Sequence, residues 1–281
     1  MTPTTFAQQF RVDPAPVYIP QGDEAAVFRA AHAARVPLSI KGPTGCGKTR
    51  FVAAMAHALG LPLVTVSCHE DLTAADLVGR FLFVDNQTVW HDGPLTLAVR
   101  YGGICYLDEI VEARKDTTVV IHSLTDDRRT LYLDATGEVI RAHDDFMVVL
   151  SYNPGYQSIV KDLKPSTRQR FAGLDFNHPD RATEAAIIER ESGVVTDVAE
   201  RLATIGEQLR ALHGYGLDDC ASTRLLVHAA RLIAGGLPPL PACEAALTSS
   251  LTDAADSARA VRDIIALHFG DLAPAQDGEK A

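Results

Sequence analysis

The chain has 281 residues, 47% of them apolar and 22% charged, with a formal net charge of −10. This suits a soluble globular protein of one large domain or a large and a small one, and the acidic excess disfavours a general nucleic-acid surface. Five cysteines without C-x-x-C spacing argue against a disulfide framework or zinc site, and no signal-peptide pattern or run of 18 apolar residues occurs, so the expectation is a cytoplasmic protein with no membrane span.

Residues 1–20, with Pro3, Pro14, Pro16 and Pro20, read as an extended arm. A helix is expected from about Asp23 to Arg35, then a short strand, Pro37–Lys41. Gly42-Pro43-Thr44-Gly45-Cys46-Gly47-Lys48-Thr49 follows and matches the phosphate-cradling pattern G-x-x-x-x-G-K-[ST] at every fixed position. Its three glycines permit backbone angles that turn successive N–H groups toward one anion, and the helix expected after it sets a positive dipole end beneath that anion. Lys48 is placed to reach β- and γ-phosphates and the Thr49 hydroxyl to ligate Mg²⁺. The arm before it either closes over an adenine ring or packs on the core.

Leu63–Cys68 reads as a second buried strand, so the β-α-β order implies a parallel sheet. A polar-capped helical turn, Glu70–Gly79, precedes a β-hairpin: strand Phe81–Val84, turn Asp85–Thr88, strand Val89–His91. Leu95–Arg100 resumes as helix. Gly103–Glu109 is an apolar strand delivering two carboxylates at its C-terminal end, where ligands of open α/β sheets lie. Asp108 is placed to hold Mg²⁺ through water, and Glu109 to polarise the attacking water.

A helix is expected over Asp116–Leu124 and a second hairpin over Thr130–Leu133, Asp134–Gly137 and Glu138–Arg141. The buried strand Phe146–Ser151 ends in Tyr152-Asn153-Pro154-Gly155. Asn153 either serves the turn or hydrogen-bonds the γ-phosphate or the water. Leu163–Phe171 reads as a basic helix before a short strand, Leu174–Phe176. Its Arg168 and Arg170 form a solvated face or reach a neighbouring subunit's nucleotide. Beyond His178 only helices are expected: Arg181–Glu191, Asp197–Leu212, Ser222–Ala234 and Cys243–Leu267, with Ser222 as a cap and Arg224 just inside that helix. The reading is an α/β P-loop core with a parallel sheet and two hairpin insertions. Its divisions are an arm (1–20), core (21–178), α-helical lid (179–270) and tail (271–281).

This order of P-loop, carboxylate pair, polar strand end, arginines and lid resembles the AAA+ ATPases, and the two hairpins resemble their MoxR branch. Within it, Lys41–Phe51, Asp76–Phe81, Thr88–Leu95, Ile104–Glu109 and Ser151–Gln157 resemble the CbbQ/NirQ/NorQ family. The resemblance implies a hexameric ATP-driven remodeller using ATP and Mg²⁺, with a von Willebrand factor A-domain partner carrying target specificity. It implies Asn153 as first sensor, Arg224 as second sensor, and Arg170, or else Arg168, as a finger acting in trans. Gly42 to Arg50 would line the nucleotide, with Thr49 and Asp108 at the metal. The target it implies first is Rubisco carrying inhibitory sugar phosphates; the alternative is nitric oxide reductase.

Three rival readings fit less of the chain. A P-loop kinase needs neither hairpins nor lid. A nucleotide-gated scaffold does not require Glu109. A DNA-working motor conflicts with the acidic balance.

Overall fold

The computed structural model describes residues 1–154, 163–212, 217 and 220–270, in two compact units. The first comprises Met1–Pro43 and Lys48–Phe176; the second comprises Thr44–Gly47 and Asn177–Ala281.

The first unit opens with a helix, α1 (Pro3–Gln9), where the sequence suggested an extended arm. The reason is local. Thr2 accepts the Thr5 N–H and Pro3 occupies the first turn, where its missing N–H costs nothing. Phe6, 1% exposed, then packs on Phe10 and Tyr101, so burial of one ring secures a helix too short to stand alone. The remainder of the arm carries Tyr18, whose ring lies 5.2 Å from that of Phe51.

Next come α2 (Glu24–Ala33), β1 (Leu38–Lys41), α3 (Lys48–Leu59), β2 (Leu63–Ser67) and α4 (Ala74–Val78). Thr73 and Asp76 form a capping box that fixes the start of α4. The first hairpin is β3 (Gly79–Val84) and β4 (Gln87–Asp92), followed by α5 (Pro94–Tyr101) and β5 (Gly103–Asp108). After a 3-10 turn at Ile110–Glu112 come α6 (Lys115–Val120), β6 (Thr130–Leu133), β7 (Glu138–Arg141), β8 (Phe146–Tyr152), α7 (Pro165–Arg168) and β9 (Ala172–Asp175). The expected helix 116–124 is therefore split: Ile121 ends α6, and His122–Leu124 continues only as a 3-10 turn. The basic helix expected over 163–171 is reduced to the single turn of α7 within the described residues.

The main sheet runs β2-β5-β8-β1-β9 with every pairing parallel. β5 and β8 are its central strands and bury almost every side chain, as a parallel sheet covered on both faces requires. This order brings the C-terminal ends of β1, β5 and β8 side by side. The chain places its P-loop, carboxylates and Asn153 at those three ends.

The second unit is helical: α8 (Arg181–Ser192), α9 (Thr196–Ala211), α10 (Thr223–Ala234), α11 (Pro239–Cys243), α12 (Ser249–Leu251) and α13 (Ala255–Phe269). Asp180 caps α8, Gly193 ends it with φ 75°, and Ser222 caps α10. Ile188, Leu202, Ile205, Leu209, Leu226, Val261 and Phe269 form its core. The one long helix expected over 243–267 is broken at Thr252, whose extended backbone (φ −166°, ψ 144°) separates α12 from α13. The polar run Ser249, Ser250, Thr252, Asp253 explains the stop, because such side chains offer local hydrogen bonds that compete with the helix; the Thr252 hydroxyl accepts the Ala254 N–H.

Candidate active site

The P-loop leaves β1 with its first N–H already spent: Gly42 donates to the Tyr152 carbonyl at 3.2 Å. A side chain at Gly42 would meet the Phe176 carbonyl at 2.4 Å, so the loop can pass there only as glycine. Gly47 differs. It has φ 103°, and a Cβ there would meet nothing within 4 Å, so glycine is required by backbone conformation and not by crowding.

Lys48 begins α3 and is only 7% exposed. Its Nζ donates to the Gly42 carbonyl at 2.8 Å, the Pro43 carbonyl at 2.9 Å and Asn153 Oδ1 at 2.6 Å. A buried ammonium is tolerated only with such partners. The same three acceptors hold it at the mouth of the loop, where a phosphate oxygen would be a stronger partner than neutral carbonyls. The Asn153 side chain touches the P-loop lysine across 105 residues of sequence.

Thr49, one residue on, donates from Oγ1 to Asp108 Oδ2 at 3.0 Å. The Tyr106 hydroxyl lies 2.8 Å from Asp108 Oδ1, 2.9 Å from Ser151 Oγ and 3.3 Å from Thr49 Oγ1. Ser151 donates to Asp108 Oδ1 and accepts the Glu109 N–H at 3.3 Å. A hydroxyl and a carboxylate oxygen so close are hard oxygen donors of the kind Mg²⁺ takes alongside water and phosphate oxygens. The residues therefore fit a magnesium-bound nucleotide. Sequence reasoning did not single out Tyr106 or Ser151. Both hydroxyls lie in strands that read as core, and only the pairing of β5 with β8 brings them to the acids.

Glu109 is exposed and left-handed, with φ 56° and ψ 45°. For a non-glycine residue this costs about 1–3 kcal/mol and is characteristic of sites that aim a side chain. The left-handed turn takes the chain out of β5 at Glu109, while Asp108 is the last residue of the strand. Their charges also act on Cys68, whose backbone N–H donates to the Asp108 carbonyl at 2.8 Å. Burial, followed by repulsion from Asp108 and Glu109, pushes its thiol up to about 12, so it stays protonated and unreactive at neutral pH.

Of the remaining residues singled out from sequence, Thr44, Cys46 and Arg50 belong to the P-loop and the start of α3. Thr44 and Arg50 are exposed, and Cys46 is 3% exposed. Arg168 is exposed at the end of α7. Arg170, partly buried, donates to the Ser166 carbonyl at 3.2 Å, and its Nε has no hydrogen-bond partner among the described residues. It also faces His122, whose ring it helps keep neutral: burial first, then the Arg170 and Lys164 charges, lower that pKa. Arg224 is exposed in the first turn of α10, in the second unit. Gly155, Tyr156 and Gln157, the end of the Ser151–Gln157 motif, and the tail 271–281 lie outside the described residues. Among those described, no helix is long and apolar enough to cross a membrane.

Comparison with known proteins places this geometry in a family. Residues 37–171 match the AAA domain of the dynein-related subfamily, and residues 184–268 match the CbbQ/NirQ/NorQ C-terminal domain. Protein NorQ of Paracoccus denitrificans is 57% identical over 256 residues, covering 91% of this chain and 95% of that one. Protein CbbQ of Hydrogenophilus thermoluteolus is also 57% identical, covering 90% and 95%. The denitrification regulatory protein NirQ of Stutzerimonas stutzeri is 52% identical, covering 91% and 93%. Among solved structures, a P216G mutant of RuvB from Thermotoga maritima superposes with a TM-score of 0.53 at 15% identity, covering 91% of this chain and 72% of that one; this likeness concerns the fold alone. A P-loop on β1, a carboxylate pair on β5, a polar residue after β8 and a matching C-terminal helical domain lead to one conclusion: the chain is an AAA ATPase of the CbbQ/NirQ/NorQ family.

Proposed function

We propose that this ATPase is the motor of a hexameric MoxR-type ring which, with a von Willebrand factor A-domain partner, remodels and reactivates a target enzyme. The observation that carries the hydrolytic part is the convergence of Lys48, Thr49, Asp108 and Asn153 through direct side-chain contacts. In this reading Gly42 to Arg50 surround the phosphates, and Lys48 exchanges its carbonyl partners for phosphate oxygens. Thr49 and Asp108 hold Mg²⁺, which supplies charge neutralisation on the phosphates. Glu109 accepts a proton from the attacking water, and Asn153 orients that water or the γ-phosphate. Arg170 is the finger acting in trans, with Arg168 as the next candidate, and Arg224 is the second sensor. Residues 21–178 form the ATPase core and 179–270 the lid.

The first target is Rubisco blocked by sugar phosphates. Nitric oxide reductase is the alternative; the NorQ and CbbQ relatives are equally similar at 57% identity, so the two targets stand level on that comparison. The test is reconstitution of the protein with its partner, ATP and inhibited Rubisco. Recovery of carboxylation that disappears in Glu109→Gln supports the first reading. Activation of nitric oxide reductase instead supports the second, and activation of neither overturns both. The finger is tested by mixing Arg170→Ala with Lys48→Ala subunits. Hydrolysis returning in mixed rings supports action in trans; no return in demonstrably mixed rings assigns Arg170 a structural role.

A further inference from the structure

Asp108 has two carboxylate oxygens, and the fold treats them differently. Oδ1 lies against two hydroxyls, Ser151 Oγ and Tyr106 OH, the latter at 2.8 Å. Oδ2 accepts the Thr49 hydroxyl at 3.0 Å. Ser151 and Tyr106 are both fully buried, so neither hydroxyl faces bulk solvent. Ser151 reaches further: its oxygen also accepts the N–H of Glu109, the residue in the left-handed conformation.

Parallel pairing makes this possible. Leu107 of β5 is in register with Leu150 of β8, so the next residue of each strand, Asp108 and Ser151, lies at the same level. Two residues beyond Ser151, Asn153 accepts from Lys48. One strand end therefore touches the lysine and both acids. A buried serine whose only purpose was to satisfy itself could bond a strand or helix carbonyl. This one serves a carboxylate and the backbone of the neighbouring glutamate.

We propose that Ser151 and Tyr106 are positioning residues for the ATPase reaction. Together they hold Asp108 by Oδ1, which leaves Oδ2 and Thr49 Oγ1 as the oxygens presented to Mg²⁺. Ser151 alone also fixes the turn that aims Glu109. The inference rests on the assignment of Asp108 to the metal and Glu109 to the water. It adds a division of labour: Tyr106 acts on the metal side only, Ser151 on both sides.

That division gives the test. In a Glu109→Gln background, where binding can be followed without turnover, a fluorescent ATP analogue is titrated at increasing Mg²⁺. Tyr106→Phe and Ser151→Ala should each raise the Mg²⁺ concentration at half-saturation about 10-fold, the scale expected when a partner of a metal ligand is removed. With Glu109 intact, Ser151→Ala should lower kcat about 30-fold through misplacement of the glutamate. Tyr106→Phe, assayed at saturating Mg²⁺, should lose clearly less kcat than Ser151→Ala, because its loss falls on the Mg²⁺ requirement. Ser151→Thr, which retains the hydroxyl, should recover most of both losses. If Ser151→Ala does not fold, the Tyr106→Phe titration and the Ser151→Thr rate still decide the matter. An unchanged Mg²⁺ requirement in the foldable variants overturns the proposal, as does a Ser151→Thr protein no better than Ser151→Ala. The underlying assignment fails separately: Asp108→Asn and Glu109→Gln would then turn over ATP at the wild-type rate.

Discussion

The two hairpins have the same topology and opposite surroundings. In β6–β7, Leu131 and Leu133 are each 1% exposed and Ile140 is 7% exposed, so one face is core while Tyr132 and Val139 point outward. The alternation is that of an ordinary half-buried ribbon. In β3–β4 the apolar residues are exposed: Phe83 at 73%, Phe81 at 49%, Val84 and Val89 at just over 40%. Leu82 and Trp90 are partly buried, the Trp90 ring lying edge-on to Phe81 with its Nε1 donating to Asp92. The difference shows that a hairpin's job is legible in which face its apolar residues take. β6–β7 is held by burial. β3–β4 is held by its ladder, its turn and its base, and presents apolar surface that its own fold does not use. Under the proposed function, this surface is the one available to a partner or target. The two ribbons are also tied together: Arg100 of α5 donates to Asp92 on β4 at 3.0 Å and, by both terminal nitrogens, to Glu138 on β7.

The comparison breaks if truncations in the two ribbons behave alike. Leu131→Ala removes buried atoms and should lower unfolding stability by about 2–5 kcal/mol, read from the denaturant midpoint. Phe83→Ser should change it by less than about 0.5 kcal/mol and leave ATP turnover within about threefold, while activation of the target falls severely. Equal stability losses would mean that β3–β4 is as much core as β6–β7.

A smaller effect comes from one glycine in each ribbon. Gly79, at the base of β3, has φ 134°, and a Cβ would lie 2.4 Å from the His91 carbonyl. Gly137, after the β6 turn, has φ 72° with nothing within 4 Å. Gly79→Ala should cost about 1–3 kcal/mol of local stability, because backbone strain and a clash coincide. Gly137→Ala carries only the left-handed penalty of about 1–2 kcal/mol. Proteolysis at the hairpin ends would rank the two, and the reverse order would contradict the account.

Smaller still is Arg100→Met. Arg100 is 28% exposed and Glu138 44% exposed, so solvent screens the link, and the expected cost is at most about 1 kcal/mol. A double-mutant cycle with Glu138→Gln should show coupling of that size, and strict additivity would remove the tie. The smallest effect is at the turn. Asp85 and Asn86 both have positive φ, 49° and 60°, as a two-residue type I′ loop demands. Replacing the pair by Asn-Gly should stabilise the ribbon by under about 0.5 kcal/mol, seen as a slightly raised midpoint. Destabilisation would indicate that this pair is fitted to something else.

The turn also shows where sequence reading stops. Asp85-Asn86-Gln87-Thr88 looks like one polar loop, but Gln87 pairs with Val84 and Thr88 with Phe83. Their polarity reflects exposure, and strand and loop look alike when both face water. The P-loop motif, the apolar strand ending in two acids, the parallel sheet and both hairpins were legible because each depends on local pattern, element succession or motif spacing. The helix at Pro3–Gln9 was missed because four prolines suggested extension, although Thr2 followed by Pro3 is a helix-start signal. The break at Thr252 was missed because apolar periodicity runs through it on both sides. Tyr106 and Ser151 were invisible for a different reason. Their meaning comes from the register of β5 against β8, a relation between segments some 40 residues apart that no single window contains.

The most direct test of the whole account is ATP turnover beside ATP binding in purified Glu109→Gln. Under the proposed function Glu109 polarises the water while Lys48, Thr49 and Asp108 hold the nucleotide. The account therefore predicts binding within about twofold of wild type and hydrolysis slower by at least about 100-fold, the usual scale for losing a general base. Wild-type hydrolysis, or loss of binding together with hydrolysis, would contradict it.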